Sequence, residues 1–324
     1  TLLFLMISCY NCSNEVDKNQ LPTFNPIDVD ENTIFLVNRK DDDVHKIYAI
    51  DTKKNKKIYT YDFKRKVVYD LMFDASFDMN PYIILLSGEA LKLDVKSGKL
   101  KRFDVKYTPE VLSVIDNKLW ITPSGVGLKD TPKDYFTYDV KTDKSEYITI
   151  PEGMFWGSWM NIDNKHYLPL DINANKPKIY NLTTGKILED NLFNKEYYGC
   201  SFEGKQYLNA WYYNTNYDLI CDLYFINSFE PTINYNFLFS TDPKYSFSKM
   251  FEDVNYIYMI NRNDITKVNK NNSFKVEKKV TFDNKSSGGS LGFYHKNGYI
   301  WLTSEENDGA YKVNMDDLSY EIIK

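Results

Sequence analysis

The stretch Ala90-Leu91-Lys92-Leu93-Asp94-Val95-Lys96-Ser97-Gly98-Lys99-Leu100-Lys101-Arg102-Phe103 alternates apolar and polar residues on both sides of a polar turn. This alternation predicts two β-strands joined by a tight connection. The pattern returns along the chain, each time with an Asp or Asn where the first strand ends. The short side chains of Asp and Asn favour such turns because they bond to the backbone amides that follow. The anchor residues are Asp51, Asp94, Asp139, Asn181, Asn227, Asn269 and Asn314.

The spacing of these anchors predicts the architecture. Successive anchors are 43, 45, 42, 46, 42 and 45 residues apart. A second polar turn precedes each anchor, at 30–32, 78–80, 116–118, 163–165, 203–205, 253–255 and 296–298. Each period therefore holds four short strands, which we name A to D. A repeat of this length with four strands predicts an all-β fold, a seven-bladed β-propeller of four-stranded antiparallel blades.

The predicted blades fill nearly the whole chain, so we expect one domain over residues 23–324. The blades are predicted at about 24–63, 67–105, 109–150, 154–193, 197–240, 245–282 and 288–324. We expect all four strands of blade 1 to come from one continuous stretch of the chain, with strand A before the turn at 30–32. The ring would then close by packing blade 7 on blade 1. Apolar residues make up 43% of the chain, which is enough for a large core, and the net charge of -5 argues against a nucleic-acid partner.

The N-terminal residues suggest export. Residues 1–8 are apolar, too few to span a membrane, and are interpreted as the remnant of a signal peptide. Ser8 directly before Cys9 resembles a bacterial lipobox, so Cys9 is the predicted lipidation site and residues 9–22 the tether. Cys12 is a second possible position. Ordinary secretion and a hydrophobic first strand are the alternatives.

Two blades carry phrases with a family resemblance. Leu119-Trp120-Ile121-Thr122 and Ile300-Trp301-Leu302-Thr303 resemble the two-component-regulator propeller repeat, which belongs to extracellular sensor propellers of bacteria. Leu182-Thr183-Thr184-Gly185-Lys186 is similar to the turn of YVTN-type blades. The resemblance implies a secreted bacterial propeller, and it implies little about the ligand.

Two groups of side chains are candidates for ligand binding. Arg39 and Arg262 each follow an Asn just after a predicted strand B. Both guanidinium groups would therefore approach the same propeller face, where they would suit an anion. The alternative is that each arginine forms a salt bridge with a nearby acid. The second group is aromatic and falls in blades 4 and 5. Its members are Trp156, Trp159, Tyr198, Trp211, Tyr212 and Tyr213. They would form a rim for sugar rings or a peptide, or else pack between blades.

The sequence contains no recognisable catalytic motif. His45, His166 and His295 fall at different places in their blades, so no metal site is predicted, and neither is a cofactor. Asp28–Asn32 lacks the glycine and distal glutamate of a calcium loop and is interpreted as a hairpin turn. Cys200 and Cys221 are expected on strands A and C of blade 5, separated by strand B, so free thiols are favoured over a disulfide. The acids Glu305, Glu306 and Asp308 lie in a blade 7 loop.

We therefore expect a non-catalytic binding or scaffold lipoprotein of the bacterial cell envelope, at the outer membrane or cell surface, with a protein, peptide or glycan ligand. A membrane would be contacted only through the N-terminal lipid. The alternatives are a glycan hydrolase or lyase, which needs two carboxyl groups across a cleft, and an extracytoplasmic sensor subunit.

Overall fold

The described residues of this computed structural model form 27 β-strands in seven antiparallel sheets. The structure describes residues 21–41, 44–64, 67–123, 133–150, 160–162, 165–171, 178–189, 199–203, 206–217, 219–230, 233–240, 249–261, 263–283 and 293–324. Within each sheet the strands follow one another in chain order. The predicted seven-bladed all-β propeller is confirmed.

Blade 1 contains β1 (Thr33–Asp41), β2 (Val44–Asp51) and β3 (Lys56–Asp62). Blade 2 contains β4 (Val68–Asp74), β5 (Asp78–Leu85), β6 (Ala90–Asp94) and β7 (Lys99–Arg102). Blade 3 contains β8 (Pro109–Ile115), β9 (Lys118–Pro123), β10 (Lys133–Asp139) and β11 (Lys144–Ile150). Blade 4 contains β12 (Met160–Ile162), β13 (Lys165–Asp171), β14 (Lys178–Asn181) and β15 (Lys186–Glu189). Blade 5 contains β16 (Gly199–Glu203), β17 (Tyr207–Tyr213), β18 (Leu219–Ser228) and β19 (Asn234–Ser240). Blade 6 contains β20 (Lys249–Glu252), β21 (Tyr256–Ile260), β22 (Asp264–Asn269) and β23 (Lys275–Thr281). Blade 7 contains β24 (Phe293–Lys296), β25 (Tyr299–Ser304), β26 (Gly309–Asn314) and β27 (Tyr320–Ile323).

Antiparallel strands place successive connections at opposite edges of each blade. The A–B and C–D turns, with the Asp and Asn anchors, lie on what we call the turn face. The B–C hairpins and the D–A connections lie on the opposite side, which we call the loop face.

Burial follows strand position. Four consecutive residues of β5, from Tyr82 to Leu85, are all buried, because the middle strands are covered by a neighbouring blade on each side. The outer strand β23 alternates between exposed and half-buried residues and carries lysines on its open edge. Such lysines discourage edge-to-edge association.

Seven hydrophobic clusters fill the seven junctions between blades. At the junction of blades 1 and 2, for example, Val37 and Ile47 pack with Ile83 and Leu91. No blade of this kind can cover both of its apolar faces alone, and the ring supplies the cover.

The ring closes by side-chain packing between the first and last blades. Leu36 and Tyr48 of blade 1 lie in one cluster with Trp301, Ala310 and Ile323 of blade 7. Polar contacts reinforce this junction. The Tyr48 hydroxyl donates to Asp308 at 2.6 Å, and the Thr303 hydroxyl donates to the backbone carbonyl of Val37 at 2.7 Å.

The anchor side chains form the predicted turns at six of the seven positions. Asp51 Oδ1 accepts the amide of Lys54 at 2.8 Å, and Asn181 Oδ1 accepts the amide of Thr183 at 2.9 Å. Asp94, Asp139, Asn269 and Asn314 make the same kind of bond. The prediction fails at Asn227, which lies inside β18. That strand ends one residue later, at Ser228, and the Asn227 side-chain amide donates to Asn234 Oδ1 at 3.1 Å instead of closing a turn. Phe229 and Ile233, which follow the strand, are buried against blade 4.

The predicted strand A of blade 1 is wrong. Residues 24–29 are described and form no strand, so the first sheet has three strands among the described residues. The segment instead lies against blade 2: the amides of Phe24 and Ile27 donate to the carbonyls of Gly98 and Val95, both at 2.9 Å. Pro26, which has no N–H to donate, disfavours a paired strand here. The turn at 30–32 does form, since Asp30 Oδ1 accepts the amide of Asn32 at 2.8 Å.

Candidate functional site

Most of the predicted ligand-binding side chains lie outside what the structure describes. Cys9, Trp156, Trp159, Tyr198 and Arg262 lie outside the described residues. Arg39 is placed on β1 and Trp211 on β17, and the positions of their side chains are not described. Tyr212, also on β17, is described and half-buried.

The structure does not test the predicted pairing of the two arginines. Arg39 lies within β1, which continues to Asp41 with a register shift beyond Asn38. Arg262 lies outside the described residues, between the end of β21 at Ile260 and the start of β22 at Asp264. The anion site therefore stays a prediction.

The hairpin formed by β17 and β18 lies at the loop face of blade 5. The last described pair between β16 and β17 is Gly199 with Trp211. The pairs Tyr212 with Ile220 and Tyr213 with Leu219 lie beyond it. They also lie beyond the last described pair of β18 with β19, which joins Asp222 and Ser240.

A turn stabilised by its own side chain caps this hairpin. Asn214 Oδ1 accepts the amide of Asn216 at 2.8 Å, and the amide of Tyr217 donates to the carbonyl of Asn214 at 3.0 Å. These bonds hold Tyr217 at a φ of 63°, a left-handed conformation that is unfavourable for a bulky side chain. Residues held in such conformations concentrate at binding sites.

The hairpin end exposes two aromatic rings. Tyr217 is 87% exposed and Tyr213 is 53% exposed. We call the segment from Tyr212 to Tyr217 the tyrosine hairpin. Its sequence is poor in charge: Gln206 to Tyr217 contains no Asp, Glu, Lys or Arg, although 26% of the whole chain is charged, and the next residue is Asp218.

A second feature of the loop face lies on blade 2. A shallow pocket of about 250 Å³ is lined by Gly88, Glu89, Arg102, Phe103, Asp104 and Val105. Arg102 forms an ion pair with Glu89 at 2.5 Å across its edge. Tyr69 and Leu86, on the same blade, are 42% and 64% exposed.

The three histidines lie in separate contacts. The amide of Val68 donates to Nδ1 of the buried His45 at 3.0 Å. His166 lies 2.7 Å from Asp116, and His295 stacks on Phe251 with 4.2 Å between ring centroids. Among the described residues, no three His, Cys, Asp or Glu side chains are arranged to hold a metal ion. Cys221 is buried, and the side chain of Cys200 lies outside the described residues.

One acid of the blade 7 loop, Asp308, contributes to ring closure, and another, Glu305, is buried. Glu305 is buried, with 1% of its surface exposed. Asp308 bonds to Tyr48 and Lys57 of blade 1. Burial of this carboxyl opposes ionisation, but the hydrogen bonds from Tyr48 and Lys57 and the lysine charge outweigh it and lower the pKa of Asp308.

Sequence reasoning found the aromatic run at the end of β17 and missed Tyr217. The signal was present: a turn of neutral polar residues, Asn214 to Asn216, lies between two tyrosines. The left-handed φ of Tyr217 accompanies the hydrogen bonds that close this turn, and a tyrosine at that position gives no sequence signal for it.

Comparison with known proteins supports the fold. The sequence matches no protein-family model and no curated protein. Among solved structures, apo AztD from Citrobacter koseri is similar with a TM-score of 0.56 and 10% identity, covering 90% of this chain and 94% of that chain. The β-propeller domain of Cps50 (Swd1) from Myceliophteria thermophila gives 0.52 and 9%, covering 94% and 99%.

PorZ of Porphyromonas gingivalis, described as an essential bacterial surface component of the type-IX secretion system, gives a TM-score of 0.54 and 12% identity. The match covers 94% of this chain and 38% of that chain. At these identities the likeness concerns the propeller fold. No described segment forms a helix long and apolar enough to cross a membrane.

Proposed function

We propose that this chain is a non-catalytic binding lipoprotein of the bacterial cell envelope, which presents the loop face of its propeller to a ligand. The observation that carries the proposal is the tyrosine hairpin. Tyr213 and Tyr217 are exposed at the loop face, and Tyr217 is held in a left-handed backbone conformation that tyrosine rarely adopts. Large exposed aromatic side chains on a rigid frame are a common means of ligand recognition.

The envelope location rests on the N-terminal sequence. The apolar run before Cys9 has the character of an export signal, and a lipid on Cys9 would hold the propeller at a membrane through the residues that follow. The segment from Leu21 onward then joins the tether to the turn face between blades 1 and 2, because Phe24 and Ile27 bond to blade 2 there. The loop face is thus directed away from the point of attachment.

Lipid labelling tests the anchoring. Bacteria expressing the full-length chain with its own leader are grown with labelled palmitate, next to cells expressing Cys9→Ala and Cys12→Ala. We expect label in the wild type and in Cys12→Ala, and none in Cys9→Ala. Equal labelling of all three, or none in the wild type, contradicts the assignment of Cys9.

Ligand binding by the loop face is tested separately. The purified full chain is screened against glycan and peptide arrays, next to a variant with Tyr213→Ala and Tyr217→Ala. We expect specific signals that the variant loses. Turnover of any bound glycan, abolished by an acid-to-amide change such as Glu306→Gln, would instead support the enzyme alternative.

A further inference from the structure

We infer that the tyrosine hairpin binds a neutral glycan by stacking sugar rings on Tyr213 and Tyr217. This inference rests on the proposed binding function and assigns its ligand class. It starts from the two aromatic rings, because the flat apolar face of a sugar packs against an aromatic side chain and leaves the hydroxyl groups at the rim for hydrogen bonding.

The residues between the tyrosines supply that hydrogen bonding. Asn214, Thr215 and Asn216 carry amide and hydroxyl groups, which both donate and accept. Sugar hydroxyls have the same dual character. Thr215 and Asn216 are exposed. The bond from the Asn216 amide to Asn214 Oδ1, at 2.8 Å, fixes the backbone of the turn, so little conformational entropy is lost when a ligand binds.

The charge of the hairpin argues against an acidic glycan. No Lys or Arg occurs from Gln206 to Pro243, and the charged residue that follows Tyr217, Asp218, is itself an acid. An acidic polysaccharide or a phosphorylated ligand would require a cationic partner, as Arg or Lys provides in such sites. The hairpin offers none, so recognition there depends on stacking and on neutral hydrogen bonds.

The size of the exposed patch favours a glycan over a folded protein. A stable protein–protein interface buries about 800 Å² on each partner. The exposed aromatic surface described here consists of two tyrosines, Tyr213 and Tyr217, which matches the scale of a short glycan. The blade 2 pocket, in contrast, is charged, because it contains the Arg102–Glu89 ion pair. Blade 2 therefore serves as the control region in the binding test.

The test measures binding of the full chain to soluble polysaccharides by affinity gel electrophoresis and titration calorimetry. The neutral probes are xyloglucan, galactomannan, mixed-linkage β-glucan and starch, and the acidic probes are polygalacturonate and alginate. The variants are Tyr213→Ala with Tyr217→Ala, Tyr217→Phe, and Tyr69→Ala with Leu86→Ala as a matched loss of exposed apolar surface on blade 2. Circular dichroism melts confirm that each variant is folded.

We expect at least one neutral polysaccharide to bind, with affinity reduced tenfold or more in the double tyrosine variant. Tyr217→Phe keeps the ring and should stay within threefold of wild type, and the blade 2 variant within twofold. Raising NaCl from 50 to 500 mM should change the affinity less than twofold, because no ion pair is involved.

Binding of acidic probes only, strong salt dependence, or equal affinity in all variants overturns the inference. So does the absence of binding to every neutral probe. If the hairpin variant loses a peptide or protein ligand from the arrays while no glycan binds, the ligand class is wrong and the proposed binding function stands. If no ligand of any class depends on the loop face, both fail.

Discussion

Replacing Gly98 by alanine should destabilise the protein far more than the same change at Gly185. Both glycines occupy the C–D turn of their blades, with φ angles of 69° and 70°. They differ in surroundings. A Cβ at Gly98 would overlap the carbonyl oxygen of Phe24 and lie 2.6 Å from its carbonyl carbon, whereas at Gly185 the nearest atom is the Tyr180 hydroxyl at 3.7 Å.

The expected magnitudes follow from these contacts. A left-handed alanine costs about 1 kcal/mol at either position. At Gly98 the segment must also move. That breaks the 2.9 Å hydrogen bond from the Phe24 amide to Gly98, worth about 1 kcal/mol. It also separates the Phe24 ring from Tyr61 and Phe63, whose centroids lie 5.1 and 5.2 Å away, worth roughly another 1 kcal/mol.

We therefore expect a loss of about 3 kcal/mol for Gly98→Ala and about 1 kcal/mol for Gly185→Ala. Urea unfolding followed by tyrosine and tryptophan fluorescence measures both. A variant with Phe24→Ala should lose less further stability in the Gly98→Ala background than in the wild type, because the segment is already displaced. Equal losses at the two glycines would refute the docking of residues 21–30 on blade 2.

Two further predictions concern single turns. Asp94→Ala should cost about 1–2 kcal/mol, because the amides of Lys96 and Ser97 lose their acceptor; Asp94→Asn should cost less, since Asn181 makes the same bonds. The hydrogen bond from Ser97 lowers the pKa of Asp94. The ionised Asp94 carboxylate therefore stabilises the folded protein fully above about pH 4, and this stabilisation is lost as the pH falls through the lowered pKa. The Asp94→Asn variant should therefore lose less stability than wild type between pH 5 and pH 2 in thermal melts; an equal loss contradicts this. Tyr217→Asn should stabilise the fold by about 0.5–1 kcal/mol in urea unfolding, because Asn tolerates a left-handed φ, and should weaken ligand binding; a destabilised variant would argue against strain at Tyr217.

The sequence predicts the blades well because each rests on local chemistry. The turn-forming side chain of Asp94 or Asn181 acts on amides two and three residues away, so spacing alone locates the turn. The middle strands carry short apolar runs, such as Tyr82 to Leu85 of β5 and Tyr299 to Leu302 of β25, because both of their faces are covered, and this pattern too is readable in the sequence.

The failures arise where neighbouring blades decide the outcome. Residues 24–29 carry apolar side chains suited to a strand, but these pack into the cluster between blades 1 and 2. Asn227 has the right spacing for an anchor, yet the connection after its strand is held by Phe229, which packs on Tyr167 of blade 4 with ring centroids 4.5 Å apart. No local pattern contains either contact.

The candidate site was predictable in part for the same reason. The aromatic run at Tyr212 and Tyr213 is visible in the sequence, whereas the exposure of its members depends on how the blade folds around them, with Tyr212 half-buried and Tyr213 exposed. The left-handed backbone of Tyr217 depends on the bonds that close the turn.

The central claim is that seven blades close into a ring because each needs a neighbour on both faces. Tyr48 and Asp308 are 260 residues apart in the sequence, and their oxygen atoms lie 2.6 Å apart only because blade 7 meets blade 1. A double-mutant cycle with Tyr48→Phe and Asp308→Ala, measured by urea unfolding at pH 7, tests this contact directly. We predict a coupling energy of about 1 kcal/mol, at the lower end for a charged acceptor because the Asp308 side chain is 56% exposed. Additive effects, with a coupling within about 0.3 kcal/mol of zero, would contradict ring closure at this junction.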